Sequence, residues 1–223
     1  MPALLLLYIL LFCLLYCTYH PPKFRKFFPW IKLSASLCFV LIAYYSVFLS
    51  LDYRLFVRMV PAFLLAALGD FLLGLAHSKD SSDSRTFLAG TLSFLTAHIL
   101  FYAALTSIDP LRPIDFAIPP VVMAIVILIS NGKNVSLGKM KIPGIIYSFF
   151  VGLLFSKGVM ILLFQGIGTA HLLIFSGSFL FLVSDMILIF LYFHKSPPKC
   201  LAFANLSTYY AAMALLGLSM YPF

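Results

Sequence analysis

The stretch LAALGDFLLGL, from Leu65 to Leu75, places one ionisable residue, Asp70, in the middle of an apolar run. A second stretch, LFLVSDMILIF, from Leu180 to Phe190, does the same with Asp185. Both stretches belong to longer apolar segments of the length that a helix needs to cross a bilayer. The pattern therefore predicts transmembrane α-helices, and it raises the question of why each helix keeps a carboxylate.

The composition of the whole chain also indicates a membrane protein. Of its 223 residues, 63% are hydrophobic and 10% are charged, and the mean hydropathy is +1.07. A soluble domain cannot bury that much apolar surface. The four cysteines form neither a CxxC pair nor a metal-ligand spacing. We predict an all-α membrane protein, an eight-transmembrane-helix bundle, with one polytopic domain over residues 1–223.

Apolar runs separated by polar or proline-containing gaps predict eight spans. The predicted boundaries are 2–19, 33–51, 59–76, 87–107, 116–130, 142–163, 170–193 and 201–221. The fifth run is short and the gap before the seventh is small, so seven spans is the alternative. The first run lacks a basic N-terminal region and a small-residue cleavage site, so we expect a retained span rather than a signal peptide.

The positions of Lys and Arg predict the orientation of the spans. The odd-numbered connections contain eleven of the 15 basic residues, the even-numbered ones contain three, and Lys157 lies within span six. Because cytoplasmic loops carry an excess of Lys and Arg, both termini are predicted to be non-cytoplasmic. The net charge of +8 is then mainly a signal of topology. We expect no nucleic-acid partner, and we expect the endoplasmic reticulum membrane if the cell is eukaryotic.

This orientation places Asp70 and Asp185 at a similar depth, ~9–12 Å inside the cytoplasmic boundary at the rise of an α-helix. The segments GDFLLGL and SDMILIF lie 115 residues apart. This weak internal similarity predicts two parallel four-helix repeats related by an axis normal to the membrane. Such an axis would bring the two carboxylates face to face.

The two aspartates are the candidate catalytic residues. A carboxylate within the membrane costs about 2.5–3.5 kcal/mol on insertion scales, so it is seldom kept without a use. The structural alternative is an Asp that is bonded to a serine, a tyrosine or a cation. Two neighbouring buried carboxylates share a proton, so one is protonated while the other is ionised. This arrangement suits general acid–base chemistry.

Further polar residues are candidates for binding a substrate. His98 lies deep in span four, where a hydrogen bond between helices is an equally good explanation. Lys32 lies at the cytoplasmic interface, where it either snorkels or binds phosphate. Tyr147, Tyr209 and Tyr210 stand out by their depth in the cytoplasmic halves of spans six and eight. No His or Cys pattern fits a metal site, and we expect neither a metal nor another cofactor.

Four motifs follow one another in an order that resembles a known family. They are ALGDFLLGL with Gly69-Asp70, FLAGTLSFLTAHILFY with His98, GSFLFLVSD with Ser184-Asp185, and STYYAA with Tyr209-Tyr210. Over roughly residues 30 to 220, the chain resembles the lysoplasmalogenase (YhhN-like) family of eight-span membrane hydrolases.

The resemblance implies hydrolysis of the vinyl ether bond of lysoplasmalogens to a fatty aldehyde and glycerophosphocholine or glycerophosphoethanolamine. The partners that it implies are the lysophospholipid substrate and the membrane lipid, with no cofactor. It implies catalysis by Asp70 and Asp185. The residues that it places at the substrate are Lys32, His98, Tyr147, Ser184, Tyr209 and Tyr210. The chain departs from the family at Met213, where the family commonly has Gln.

A proton-coupled transporter or scaffold for small molecules or lipids is the alternative function, because it would also keep intramembrane aspartates. A transporter more often shows spans broken by Gly or Pro in both halves, and here Pro143-Gly144 near the end of span six has no clear partner. Intramembrane aspartyl proteases carry the motifs GxGD and YD, which Ala67–Asp70 and Ser184-Asp185 do not match. The sequence therefore favours the hydrolase.

The basic-residue bias makes a testable prediction about topology. In sealed vesicles whose cytoplasmic face is outward, a tag after Phe223 should be protected from added protease, whereas a tag at Asn134 should be cleaved. Cleavage of the C-terminal tag together with protection of the loop tag would contradict the predicted orientation.

Overall fold

The computed structural model describes residues 1–19, 21–78 and 85–221, and these residues are almost entirely helical. The α-helices in this part of the chain are α1 (Pro2–Tyr19), α2 (Phe28–Ser50), α3 (Arg54–Ser78), α4 (Arg85–Leu105), α5 (Ile118–Ser130), α6 (Lys141–Phe164), α7 (Thr169–Phe193) and α8 (Cys200–Leu218). Short 3₁₀ segments lie at Pro22–Phe24, Pro113–Phe116 and Gly138–Met140. Lys79, one of the eleven basic loop residues, lies outside the described residues.

The prediction of eight spans is confirmed. In the described ranges, eight helical segments are long and apolar enough to cross a membrane. The fifth is a composite, because the 3₁₀ turn at Pro113–Phe116, the linking residue Ala117 and the 13 residues of α5 together form an apolar segment of 18 residues. The alternative of seven spans is therefore wrong, and the chain is an all-α, multi-pass membrane protein.

Two predicted boundaries are wrong, and both errors have the same cause. The second helix begins at Phe28 rather than at residue 33, with Pro29 in its first turn, where a missing N–H costs no hydrogen bond. The third begins at Arg54 rather than at residue 59. The hydropathy pattern started each predicted span directly after a basic residue, Lys32 or Arg58, whereas each helix begins several residues before that position.

The chain divides into two compact units, and each contains one of the two aspartates of interest. Unit 1 comprises Met1–Ala104 and Leu216–Phe223, and unit 2 comprises Leu105–Leu215. The division falls at the end of α4. Unit 1 therefore contains α1 to α4, and unit 2 contains α5, α6, α7 and most of α8.

In unit 1, glycines let α3 and α4 approach each other closely. A Cβ atom on Gly69 would lie 2.7 Å from the Phe94 ring, and one on Gly90 would lie 2.9 Å from Cδ2 of Leu73. Small residues at a helix–helix contact in a membrane allow dense packing that the bilayer itself does not drive. Asp70, which follows Gly69, is completely buried.

In unit 2, a buried lysine on α6 binds the connection between α4 and α5. Lys157 is completely buried. Its Nζ atom lies 3.1 Å from Oδ2 of Asp109 and 2.7 Å from Oδ2 of Asp115. It also donates to the carbonyl oxygens of Asp109 and Pro110. A buried charge is tolerable only when it is paired and hydrogen-bonded in this way.

Asp109 is the hub of this ion network. Its Oδ1 atom accepts hydrogen bonds of 3.1 Å from Nε of Arg112 and 3.1 Å from the side-chain amide of Gln165. Burial by itself raises the pKa of the Asp109 carboxyl, but the hydrogen bonds from Arg112, Gln165 and Lys157 outweigh it and hold the pKa below its ordinary value. Two cations and two carboxylates thus form a neutral cluster that joins α6 to two connecting segments.

Removal of the lysine from this network should destabilise the protein strongly. We expect Lys157→Met to lower stability by about 3–5 kcal/mol, because it leaves the buried carboxylates of Asp109 and Asp115 without their shared cation. Thermal unfolding in detergent, followed by helical circular dichroism, is the measurement. Because the folded pKa of Asp109 is lowered, the contribution of Asp109 is present above the unfolded pKa and is lost only as the pH falls through the folded value.

The matched control is the variant with Lys157→Met, Asp109→Asn and Asp115→Asn together. It removes the stranded charges along with the cation, so it should be more stable than Lys157→Met alone. A single variant that unfolds at the wild-type temperature would show that the network does not stabilise the fold.

Candidate active site

The two predicted catalytic residues lie on α3 and α7 at equivalent positions along their helices. Asp70 is eight residues before the last residue of α3, Ser78, and Asp185 is eight residues before the last residue of α7, Phe193. Their exposed fractions are 0% and 7%. Both carboxylates are thus held inside helical segments of membrane-spanning length, about 12 Å from the helix end at 1.5 Å per residue.

Asp70 forms a buried ion pair within unit 1. Nζ of Lys32 on α2 lies 2.9 Å from Oδ1 of Asp70. The hydroxyl of Ser36, one turn further along α2, donates to Oδ2 of Asp70 at 2.6 Å. The same hydroxyl has a second acceptor, the Lys32 carbonyl at 2.9 Å, and the shorter contact is the one to the charged oxygen. Oδ1 of Asp70 is thus paired with an ammonium group and Oδ2 accepts a hydrogen bond, and both contacts stabilise the ionised form.

Ser36 is a site residue that the sequence interpretation missed. It lies 34 positions from Asp70 along the chain. Its spacing of four residues from Lys32 places both side chains on one face of α2, and this is the signal that was available. The face of α2 that meets Asp70 thus presents one cation and one hydroxyl.

His98 lies completely buried on α4 in unit 1. Its Nδ1 atom is 2.8 Å from the carbonyl oxygen of Phe94, one turn earlier. Because a carbonyl oxygen only accepts, Nδ1 of His98 donates in this contact. The geometry thus gives His98 a fixed ring orientation.

Asp185 is hydrogen-bonded within unit 2 by a predicted site residue. The hydroxyl of Tyr147 on α6 donates to Oδ2 of Asp185 at 3.0 Å. The contact joins α6 to α7 at a part-buried position. A phenol donates to a carboxylate or to the carbonyl oxygen of a protonated carboxyl group, so this bond is compatible with either state of Asp185.

Ser184 contacts α8, through a residue that the sequence interpretation did not select. The side-chain amide of Asn205 donates to the Ser184 carbonyl oxygen at 2.9 Å and to its hydroxyl oxygen at 3.0 Å. The Ser184 hydroxyl donates in turn to the Asn205 carbonyl oxygen at 3.3 Å. All of these bonds are buried, so they fix α7 against α8 at the residue before Asp185.

Tyr209 and Tyr210 lie buried in α8, where they form an aromatic cluster. Their ring centroids are 5.0 Å apart in an edge-on arrangement, and Tyr209 meets the ring of Phe181 on α7 at 5.5 Å. Such pairs stabilise helix contacts beyond the area that they bury. Met213, about one turn after these tyrosines on α8, is completely buried.

In the part of the chain that the structure describes, no three His, Cys, Asp or Glu side chains are arranged to hold a metal ion. The polar groups around the two aspartates are instead a lysine, a serine and a tyrosine. These groups bind protons, water and anionic or hydroxyl groups of a ligand.

The fold and these contacts define a class of protein: a multi-pass helical membrane protein with two carboxylates buried in separate spans, each held by hydrogen-bond donors. The YhhN family model matches residues 27–220. The chain therefore belongs to the YhhN family, which is the lysoplasmalogenase family. No curated protein and no solved structure matches the chain. At the level of the family, the protein is a lysoplasmalogenase-like hydrolase.

The contact between Ser184 and Asn205 makes a prediction about the support of Asp185. We expect Asn205→Leu to lower the stability of the protein by about 1–3 kcal/mol, because it leaves the buried Ser184 hydroxyl and carbonyl without their amide donor. Thermal unfolding in detergent measures this loss. Ser207→Ala is the matched control, since the Ser207 hydroxyl donates to carbonyl oxygens of its own helix, at Phe203 and Ala204. Equal unfolding temperatures for the two variants would refute the prediction.

Proposed function

We propose that the protein hydrolyses the vinyl ether bond of 1-alkenyl lysophospholipids by acid–base catalysis with Asp70 and Asp185. The products are a fatty aldehyde and glycerophosphocholine or glycerophosphoethanolamine. Membership of the family supports the reaction class. The observation that carries the proposal is that both carboxylates are buried in membrane-spanning helices and have donors on their oxygens.

The chemistry of a vinyl ether needs an acid first and a base afterwards. A proton adds to the carbon of the double bond that does not bear the oxygen, and an oxocarbenium ion forms. Water adds to the cationic carbon and loses a proton, which gives a hemiacetal. The hemiacetal hydroxyl then loses its proton and becomes the aldehyde carbonyl, while the bond to the glycerol oxygen breaks and that oxygen takes a proton. This is the two-carboxylate logic of glycoside hydrolysis applied to a lipid.

The contacts of the two aspartates support different roles for them. The ion pair with Lys32 and the bond from Ser36 favour the ionised form of Asp70. An ionised Asp70 stabilises the developing cation and accepts a proton from water, since each carboxylate oxygen has two lone pairs. Asp185, whose bond from Tyr147 is compatible with either state, is then the acid that protonates the carbon.

The structure suggests a different role for Lys32 from the one predicted. Its ammonium group is engaged by Asp70 at 2.9 Å, and the residue is 8% exposed. We therefore assign Lys32 to holding Asp70 in its ionised form. We assign His98, Ser184, Tyr209 and Tyr210 to the ordering of water or of the substrate, and Tyr147 to the placement of the acid.

The proposal places the reaction in the cytoplasmic half of the membrane, with both termini on the opposite side. The excess of basic residues in the odd-numbered connections supports this orientation. The head group would lie near the cytoplasmic surface and the alkenyl chain among the helices. In a eukaryotic cell, we propose the endoplasmic reticulum membrane as the location.

A panel of three lysophospholipids tests the proposal. Purified protein should release aldehyde from the 1-alkenyl compound and should not hydrolyse the 1-alkyl or 1-acyl compounds. The saturated ether has no double bond to protonate, and the ester needs a nucleophile that the two-aspartate mechanism does not supply. The 1-alkyl compound should still compete, because it keeps the head group and the chain.

Asp70→Asn and Asp185→Asn are the matched variants, and each should abolish aldehyde release while the protein stays folded in detergent. Activity above about a tenth of wild type in either variant would rule that carboxylate out as essential, because loss of an acid or base typically costs 10²–10⁴-fold. Comparable hydrolysis of the acyl compound would identify an esterase. If no compound is cleaved and Met213→Gln does not restore cleavage, the transporter or scaffold becomes the better hypothesis.

A further inference from the structure

The backbones of α2 and α3 approach each other closely one turn beyond Asp70. Gly74 follows Asp70 by four residues, so the two lie on the same face of α3. A Cβ atom on Gly74 would lie 2.9 Å from Cα of Pro29 and 3.4 Å from its Cβ. Pro29 lies in the first turn of α2, three residues before Lys32. The glycine contact is therefore next to the ion pair on both helices.

The partner of Gly74 in this contact is a backbone atom. The end of a flexible side chain can rotate away from an added methyl group, but a Cα atom moves only if its helix moves. Any side chain at position 74 must therefore push the first turn of α2 away from α3. Overpacking of this kind forces backbone shifts rather than local rotamer changes.

Because α2 and α3 are antiparallel, a displacement of the first turn of α2 also moves the residues of α2 that contact Asp70. Pro29 lies opposite Gly74, and the next turns of α2 place Lys32 and Ser36 on Asp70. The ion pair at 2.9 Å has an ordinary length for a charged contact, and the hydrogen bond at 2.6 Å is at the short end of its range, so both depend on the present distance between the helices. A displacement of the start of α2 therefore weakens these contacts first.

We propose that Gly74 is a positioning residue for Asp70, because the absence of a side chain there lets α2 bring Lys32 onto the carboxylate. The proposal deepens the proposed function and rests on it only for the activity measurement. Gly74 itself touches neither Asp70 nor the substrate in this account. It acts through the distance between two helices.

A second glycine that approaches α2 provides the matched control. Gly217 also lies in unit 1, and a Cβ atom on it would lie 3.2 Å from the backbone nitrogen of Ala43. Ala43 lies eleven residues after Lys32, so this contact is at a different part of α2. Alanine at Gly217 adds the same methyl group in a helix against the same partner helix, without displacing the turn that contains Lys32.

The test reads the state of Lys32 directly. The full chain in detergent is treated with acetic anhydride, and the acetylation rate of each lysine is measured by mass spectrometry. Acylation needs the neutral amine, so a buried ion pair suppresses it. Lys32 should react slowly in wild type and in Gly217→Ala, and several-fold faster in Gly74→Ala and in Asp70→Asn. Lys157, buried in unit 2, should stay slow in all four proteins.

Each outcome decides for or against the proposal. Faster reaction of Lys32 alone in Gly74→Ala supports it. A wild-type rate at Lys32, or equal acceleration at Lys32 and Lys157, overturns it, because the latter indicates general loosening. If Gly74→Ala does not survive purification, the same labelling is performed in isolated membranes, where the ratio of the two lysines gives the answer.

Turnover of the 1-alkenyl lysophospholipid gives the second measurement. Gly74→Ala should lower kcat by about tenfold or more with little change in KM, since it affects the charge of a reacting group rather than the binding of the lipid. Loss of activity without faster labelling of Lys32 also overturns the proposal. If the wild type cleaves nothing, the proposed function fails, while the labelling still tests the role of Gly74.

Discussion

The need to neutralise charge away from water determines much of this structure. Two of the described lysines are buried in membrane-spanning helices, Lys32 on α2 and Lys157 on α6. Each is paired with aspartate: Lys32 with Asp70, and Lys157 with Asp109 and Asp115. An isolated charge at such depth would be neutralised by a shift of its pKa or would carry water with it. Pairing lets both lysines stay charged inside the membrane, and it requires each lysine to pack next to its aspartate partners.

The two ionic clusters differ in what they leave available for chemistry. The donors around Lys157 and Asp109 include an arginine and an amide, and Lys157 is also bonded to two backbone carbonyls. Such a saturated, neutral network stabilises a connection between helices. At Asp70, one lysine and one serine serve the two oxygens. The Asp70 cluster is the one that the proposed mechanism uses.

Hydropathy predicted the number of helices and the two carboxylates because both are properties of a single segment. It missed the starts of α2 and α3 because it counts Lys32 and Arg58 as loop residues, whereas a helix tolerates a basic side chain that finds a partner or reaches water. Ser36 and Asn205 were missed for a different reason. Their partners lie 34 and 21 residues away along the chain, and only helix packing brings them together. Asp109 and Asp115, which lie between the predicted spans 87–107 and 116–130, are buried by the same kind of distant contact with Lys157.

The same packing also underlies the different roles that we propose for two aspartates in similar sequence contexts. Both follow a small residue and lie at the same distance from the end of their helix, so local sequence does not distinguish them. The helix that packs against each aspartate distinguishes the two. Next to Asp70, α2 presents a cation and a hydroxyl, whereas next to Asp185, α6 presents a phenol. Acid–base chemistry requires one carboxyl group that keeps its proton and one that has lost it. An ammonium neighbour favours the ionised form, and a phenol hydrogen bond accommodates either form. In the proposed mechanism, the assignment of the acid to Asp185 thus rests on the neighbouring helices rather than on the motifs themselves.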